Sequence, residues 1–157
     1  MIFEKTVRLL TEKKLRITFA ESCTGGLMAS SVTDVPGASA VFPGSVVTYS
    51  NGVKIKAVAV RPETIEKHTE VSSEAAREMA AGAAAFFDAD IAVSATGYAG
   101  PGGGTDKDPV GTVYVGVCVR GRTDAYRLFF PESDRRRIRE SVARFAAYIA
   151  ECEAARL

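Results

Sequence analysis

"RITFAESCTGGLMASSVT", Arg16 to Thr33, holds the junction on which the reading of the fold turns. Its first five residues, Arg16 to Ala20, form the short β-branched and aromatic run expected of a strand, and Gly26 to Thr33 reads as a helix, closed off before Pro36-Gly37. A plain turn between the two needs about one glycine and one capping residue. This one holds Glu21, Ser22, Cys23, Thr24, Gly25 and Gly26, so a carboxylate, two hydroxyls and a thiol stand where a strand hands over to a helix.

Working outward, strands and helices keep alternating. Ile2, Phe3, Val7, Leu10 and Leu15 predict an amphipathic first helix, and "GSVVTYS" (Gly44 to Ser50) predicts a second strand. A helix follows Asn51-Gly52 through Val58, and a short one runs from Pro62 to Lys67 with proline near its start. "VSSEAAREMAAGAAAFF" predicts a long alanine-rich helix capped by Ser72 or Ser73. "DIAVSAT" (Asp90 to Thr96) is a buried-type strand; Val110 to Arg120 and Thr123 to Phe130 form a hairpin around Gly121; Ser133 begins a long terminal helix. This order predicts a three-layer α/β/α sandwich around a mixed sheet, in one domain spanning residues 1–157, with no internal repeat and no dividing linker.

Composition narrows the function classes. With 157 residues, 46% hydrophobic and 25% charged, the chain can bury a full core without staples. Lysine and arginine number 20 against 19 acids, which excludes a global basic field for nucleic acid. Cys23, Cys118 and Cys152 are scattered, without a C-x-x-C pair, and His68 is the single histidine, which argues against a zinc site or a disulfide framework and fits a reducing cytoplasm. Residues 1–15 carry too many charges for a leader or a spanning helix, so no membrane partner is expected.

Two loops stand apart, the junction at Glu21–Gly26 and "TGYAGPGGGTDKDPVGT" (Thr96 to Thr112). Both follow predicted strands, and ligands of open α/β sheets sit beyond the carboxyl ends of strands, so the loops are expected to share a crevice. The blocks "AESCTGG", "VTYSNGVK", "EVSSEAAREMA", "TGYAGPGGGTDKDPVGTVYVGV" and "SDRRRIRESVARF" resemble, in order and spacing, the CinA C-terminal domain family over nearly the whole chain. The resemblance implies the activity of that family's stand-alone members, hydrolysis of the carboxamide of nicotinamide mononucleotide to nicotinic acid mononucleotide and ammonia. It implies Ser22 as nucleophile and Tyr49 and Lys54 as its partners. Longer family members carry a further fused domain, which this chain is expected to lack.

Amide hydrolysis needs a nucleophile, a base, an acid for the leaving amine and donors for the oxyanion. A serine-histidine triad would rest on His68 in a polar loop. Lys54 is the better base if burial or a neighbouring cation lowers its pKa. Tyr49 and Lys54 lie close enough in sequence to arrive together. Each candidate also has a plainer reading: Ser22 or Thr24 as a helix cap, Tyr49 as strand packing, Lys54 as a solvated helix residue, His68 as a surface or capping residue. Cys23 is a rival nucleophile or an inert buried thiol. Glu21 is expected to bond a backbone amide or Lys54, or to form an ion pair.

The candidate substrate-binding set adds Glu21, Thr24, Gly25, Gly26, Thr96, Gly97, Gly100, Gly102, Gly103, Gly104 and Arg139. The triglycine lets backbone amides approach a phosphate, or is a flexible loop. Of Arg135, Arg136, Arg137 and Arg139, an otherwise ordinary solvated face, Arg139 best matches the family arginine for a 5'-phosphate. Asp106 and Asp108 alone do not make a metal site, so neither metal nor cofactor is expected. The expected partner is a small nucleotide, with a homo-oligomer left open. Tyr98 stands where the family usually has isoleucine, and Thr69-Glu70 where glycine-alanine is common; neither departure is expected to touch the chemistry, although Tyr98 can change how the pocket stacks the pyridine ring. Two other classes stay open, a nucleotide-binding regulatory module and a nucleotide phosphate hydrolase, the latter lacking the G-x-x-x-x-G-K-[ST] pattern.

Overall fold

The computed structural model describes residues 1–131 and 134–157. Its elements are α1 (Glu4–Lys13), β1 (Ile17–Glu21), α2 (Leu27–Thr33), β2 (Ser45–Val47), α3 (Asn51–Val58), α4 (Pro62–His68), α5 (Ser73–Phe87), β3 (Ile91–Gly97), β4 (Thr112–Val119), β5 (Arg122–Phe129) and α6 (Arg135–Arg156). The expectation that Ser133 starts the last helix falls outside the described residues; Asp134 caps α6, accepting from the Arg137 amide at 2.9 Å.

The strands form one mixed sheet in the order β2-β1-β3-β4-β5. β1 runs parallel to both β2 and β3, and β3, β4 and β5 are antiparallel in sequence. Side-chain alternation divides the two faces. Ile17, Phe19, Ile91, Val93, Val115 and Val117 point into a core with Phe3, Leu10, Met28 and Ile138, which sets α1, α2 and α6 on one side. Ala20, Ala92 and Cys118 meet Val58, Met79, Ala80 and Ala83 on the other, beneath α3 and α5. The expected sandwich around a mixed sheet is the fold observed.

The alanine and glycine content of α5 has a packing cause. A Cβ on Gly116 of β4 would lie 2.1 Å from the Ala76 carbonyl, and one on Gly82 would lie 1.8 Å from the Val58 carbonyl. Small residues therefore let α5 seat directly on the sheet and against α3, and Ser94 Oγ donates to the Ala76 carbonyl at 2.6 Å across that contact.

Most boundaries shift by a residue or two from the sequence reading, and two of the differences have a plain physical cause. The seven-residue strand expected at Gly44–Ser50 shrinks to Ser45–Val47, because β2 is an edge with only β1 to pair and β1 ends at Glu21. After one more bond, from the Thr48 amide to the Glu21 carbonyl at 2.7 Å, the chain turns into α3, capped by Ser50. Helix α2 begins at Leu27, since Gly26 is left-handed with φ 94°. Ser72, the first of the two serines offered, caps α5 by accepting from the Ala75 amide at 3.1 Å.

Candidate active site

The carboxyl ends of β1, β2 and β3 converge, and a cavity of about 350 Å³ opens there. β1 delivers Ser22 and Cys23; the segment after β2 delivers Tyr49, Ser50, Asn51 and Lys54; the end of β3 delivers Thr96, Gly97, Tyr98 and Ala99; Glu70, Val71 and Arg135 complete the wall. A larger groove of about 820 Å³, between α1 and the Val35–Ala40 segment, is apolar with a charged rim and holds no nucleophile beside a base.

The junction is organised by Glu21. Its fully buried carboxylate accepts from the amides of Gly26 (3.0 Å), Met28 (3.0 Å) and Ala29 (2.8 Å). These are the donors a helix start leaves orphaned, so Glu21 does the capping that the sequence reading offered to Ser22 or Thr24. Glu21 bonds backbone, as expected, and not Lys54. Ser22 follows directly, its amide tied to the Ala95 carbonyl of β3 at 2.9 Å and its side chain released from capping.

Lys54 is only 1% exposed. Its Nζ donates to the Thr48 carbonyl at 2.9 Å and lies 3.1 Å from Ser22 Oγ. Burial is the largest influence and lowers its pKa from 10.5, against a smaller opposing pull from Glu70. The structure thus brings together a hydroxyl and a desolvated amine. Cys23 shares the wall, but burial pushes its thiol up to about 12, so a thiolate is scarce at neutral pH.

The remaining predicted residues divide. Tyr49 borders the cavity but is 61% exposed, and its hydroxyl accepts from Arg135 Nη2 at 3.0 Å instead of meeting Ser22 or Lys54. Thr96 donates to the Glu70 carbonyl at 2.7 Å, and Gly97 lies so close to β4 that a Cβ would stand 2.5 Å from the Thr112 carbonyl. Thr24 is buried; its carbonyl accepts from Arg139 Nε (3.2 Å) and Nη2 (2.7 Å), while its hydroxyl has no partner among the described residues. Gly25 and Gly26 supply positive φ values of 58° and 94°, with Arg139 packed 3.6 Å from where a Gly25 Cβ would sit. Gly100 accepts from Arg135 Nη1 at 2.8 Å.

Gly102, Gly103 and Gly104 do not line the Ser22 cavity, and a Gly104 Cβ would collide with the Val110 amide at 2.3 Å, so that glycine closes the loop on itself. Arg139 borders a neighbouring depression of about 330 Å³ with Leu27, Arg136 and Glu140; Arg135 borders both spaces. His68 lies outside the cavity, 3.8 Å from Glu74. Asp108 is occupied by Tyr114 and Arg127, each at 3.0 Å.

The sequence reading underweighted two residues. Arg135 was visible in the arginine run, but nothing in spacing alone says which member faces the cavity. Glu70, expected to stand clear of the chemistry together with Tyr98, forms part of the cavity wall beside it.

A serine hydroxyl thus lies against a buried lysine beyond the carboxyl ends of the parallel strands of a three-layer α/β/α sheet. The chain belongs to the CinA family: its residues 1–152 match the family's model, described as the CinA C-terminal domain. It is 44% identical over 149 residues to a competence-damage inducible protein of Caldicellulosiruptor bescii, covering 95% of this chain and 36% of that one. The corresponding protein of Alkaliphilus metalliredigens is 47% identical, with 91% and 34% covered. The chain thus spans about a third of the length of these curated relatives. Among solved structures, a CinA superfamily protein from Klebsiella pneumoniae superposes with a TM-score of 0.94 at 34% identity, covering 99% and 97% of the two chains. One from Escherichia coli gives 0.89 at 32% identity, covering 95% and 87%. No helix among the described residues is long and apolar enough to cross a membrane.

Proposed function

We propose that the chain hydrolyses the carboxamide of nicotinamide mononucleotide, releasing ammonia and nicotinic acid mononucleotide, as a step of pyridine nucleotide recycling in the cytoplasm. The observation that carries this reading is the 3.1 Å approach of Lys54 Nζ to Ser22 Oγ, with the amine buried. Neutral Lys54 takes the Ser22 proton as Oγ attacks the carboxamide carbon. The charge that develops on oxygen is met by amides of the Cys23–Thr24 turn, and the Lys54 ammonium then protonates the amide nitrogen, which departs as ammonia and leaves Lys54 neutral. Water, deprotonated by the same amine, cleaves the resulting ester and frees Ser22. Tyr49 and Arg135 hold one another at the mouth, where Arg135 receives the 5'-phosphate and Arg139 adds charge from the next depression. Of the expected phosphate grip this keeps Arg139 and sets Arg135 beside it in place of the Gly102–Gly104 loop.

The test is ammonia release from nicotinamide mononucleotide by the purified protein. Turnover should vanish in Ser22→Ala and persist in Cys23→Ala. Near-normal release by Ser22→Ala refutes the covalent route. Binding without release would instead mark a regulatory nucleotide-binding module, and phosphate release a phosphate hydrolase.

A further inference from the structure

Glu70 lies in the turn between α4 and α5, and the backbone that presents it is unusual. Thr69, just before it, adopts φ 68° and ψ 168°, a region that is essentially glycine's, although threonine is β-branched. Such a conformation persists only where the surroundings over-determine it. Here the Thr69 amide donates to the Ile65 carbonyl at 2.9 Å, Ser72 Oγ donates to the Thr69 carbonyl at 3.0 Å, and Thr96 Oγ1 fixes the Glu70 carbonyl at 2.7 Å. The turn is thus clamped from α4, α5 and β3, and Glu70 is held in the wall of the Ser22 cavity.

The acids near this end of the sheet are not equivalent. Glu21 is saturated by three amides, and Asp108 by Tyr114 and Arg127. The Glu70 carboxylate has no hydrogen-bonded or ion-paired partner among the described residues, which leaves its charge to the cavity. That charge is felt by two neighbouring groups, opposing the depression of the Lys54 pKa and helping to raise that of Tyr98. Tyr98 lines the same space. An unpaired carboxylate beside an aromatic ring is an environment for an organic cation.

We propose that Glu70, together with the Tyr98 ring, is a specificity determinant that selects a positively charged aromatic amide over an uncharged one at the Ser22 cavity. The inference rests on the amidase reading above, in which the substrate ring is a pyridinium because its nitrogen is bonded to ribose. Glu70 takes no proton in the reaction; it holds the cationic ring while Ser22 meets the carboxamide.

The experiment compares two ligands that differ in ring charge. Nicotinamide mononucleotide and its reduced dihydropyridine form are titrated calorimetrically against Ser22→Ala protein, with and without Glu70→Gln. With Glu70 present, the cationic form should bind about tenfold more tightly, equivalent to about 1.4 kcal/mol. Glu70→Gln should bring the ratio to within about twofold while leaving the reduced form's affinity in place. An unchanged ratio, or equal weakening of both ligands, overturns the proposal. Ammonia release by the unmodified protein is measured in parallel. If it is absent, the amidase reading fails, and Glu70 is judged by the cation 1-methylnicotinamide against neutral nicotinamide. A preference for the cation that Glu70→Gln removes upholds the assignment; no preference overturns it.

Discussion

Replacing Glu21 by glutamine is nearly isosteric, so it leaves the packing of β1 and α2 alone and tests only what the carboxylate holds. The Gly26 and Met28 amides share one carboxylate oxygen and the Ala29 amide uses the other. Glutamine keeps one acceptor oxygen, so at least one of the three amides must face an NH2 group. Losing a charge-assisted bond costs about 1.5–3 kcal/mol, and the retained bonds fall to neutral strength, about 1 kcal/mol each. The expected loss is therefore about 2.5–7 kcal/mol, or a Tm lower by roughly 5–28 °C for a chain of this size. Urea unfolding followed by circular dichroism, with a thermal scan beside it, reads both quantities. Because Ser22 directly follows Glu21, ammonia release should fall as well, even at temperatures where the variant is fully folded. A Glu21→Gln protein within about 1 kcal/mol of the wild type would refute the view that this carboxylate organises the junction.

As the proposed base Lys54 acts only when neutral, and burial places its pKa below 10.5, so kcat/KM should rise with pH and level off before 10.5; Lys54→Met should abolish that limb along with most of the rate. The linked stability has a definite sign: between the folded pKa and 10.5 the unfolded chain binds more protons, so stability rises with pH through that window, and Lys54→Met should flatten the slope in urea titrations. Arg135→Ala should lower kcat/KM for the nucleotide about tenfold while sparing nicotinamide riboside, a loss typical of one charged contact; an unchanged ratio removes the residue from phosphate binding. Gly82→Ala should cost about 3 kcal/mol, because its Cβ meets the Val58 carbonyl at 1.8 Å, and a urea midpoint near that of the wild type would contradict the close seating of α5 on α3.

Much of the architecture was legible because its signals are local and repeated. β-Branched runs such as "TVYVGVCV" can be satisfied only as buried strand, and Ser72 and Pro62 mark helix starts through chemistry that acts within a few residues. The length of β2 was not legible, since it depends on where its only neighbour ends. Ser22 and Lys54 stood out as residue types suited to amide hydrolysis, but their 3.1 Å approach spans 32 positions and depends on how β1 and α3 are set against each other. Glu21 could be named as an organiser but not as the cap of α2, because the amides it holds lie five to eight residues on and converge only when Gly25 and Gly26 turn left-handed. The triglycine suggested phosphate by analogy of composition, while Gly104 is needed for its backbone's own approach to Val110. Glu70 was hidden by the unusual Thr69 backbone, which no propensity scale would assign to threonine.

The two outer strands bear on how copies of the chain meet one another. An open sheet can recruit a neighbour's strand along any free border, the usual route to disordered precipitation. One border here is β2, a mere three residues, too short a row of backbone groups to template an incoming strand. The other is β5, eight residues long, but Arg122, Asp124 and Arg127 stand exposed along it, and a second strand would have to approach across those charges. Shortness guards one flank and charge the other, so strand addition is disfavoured at both borders of the sheet.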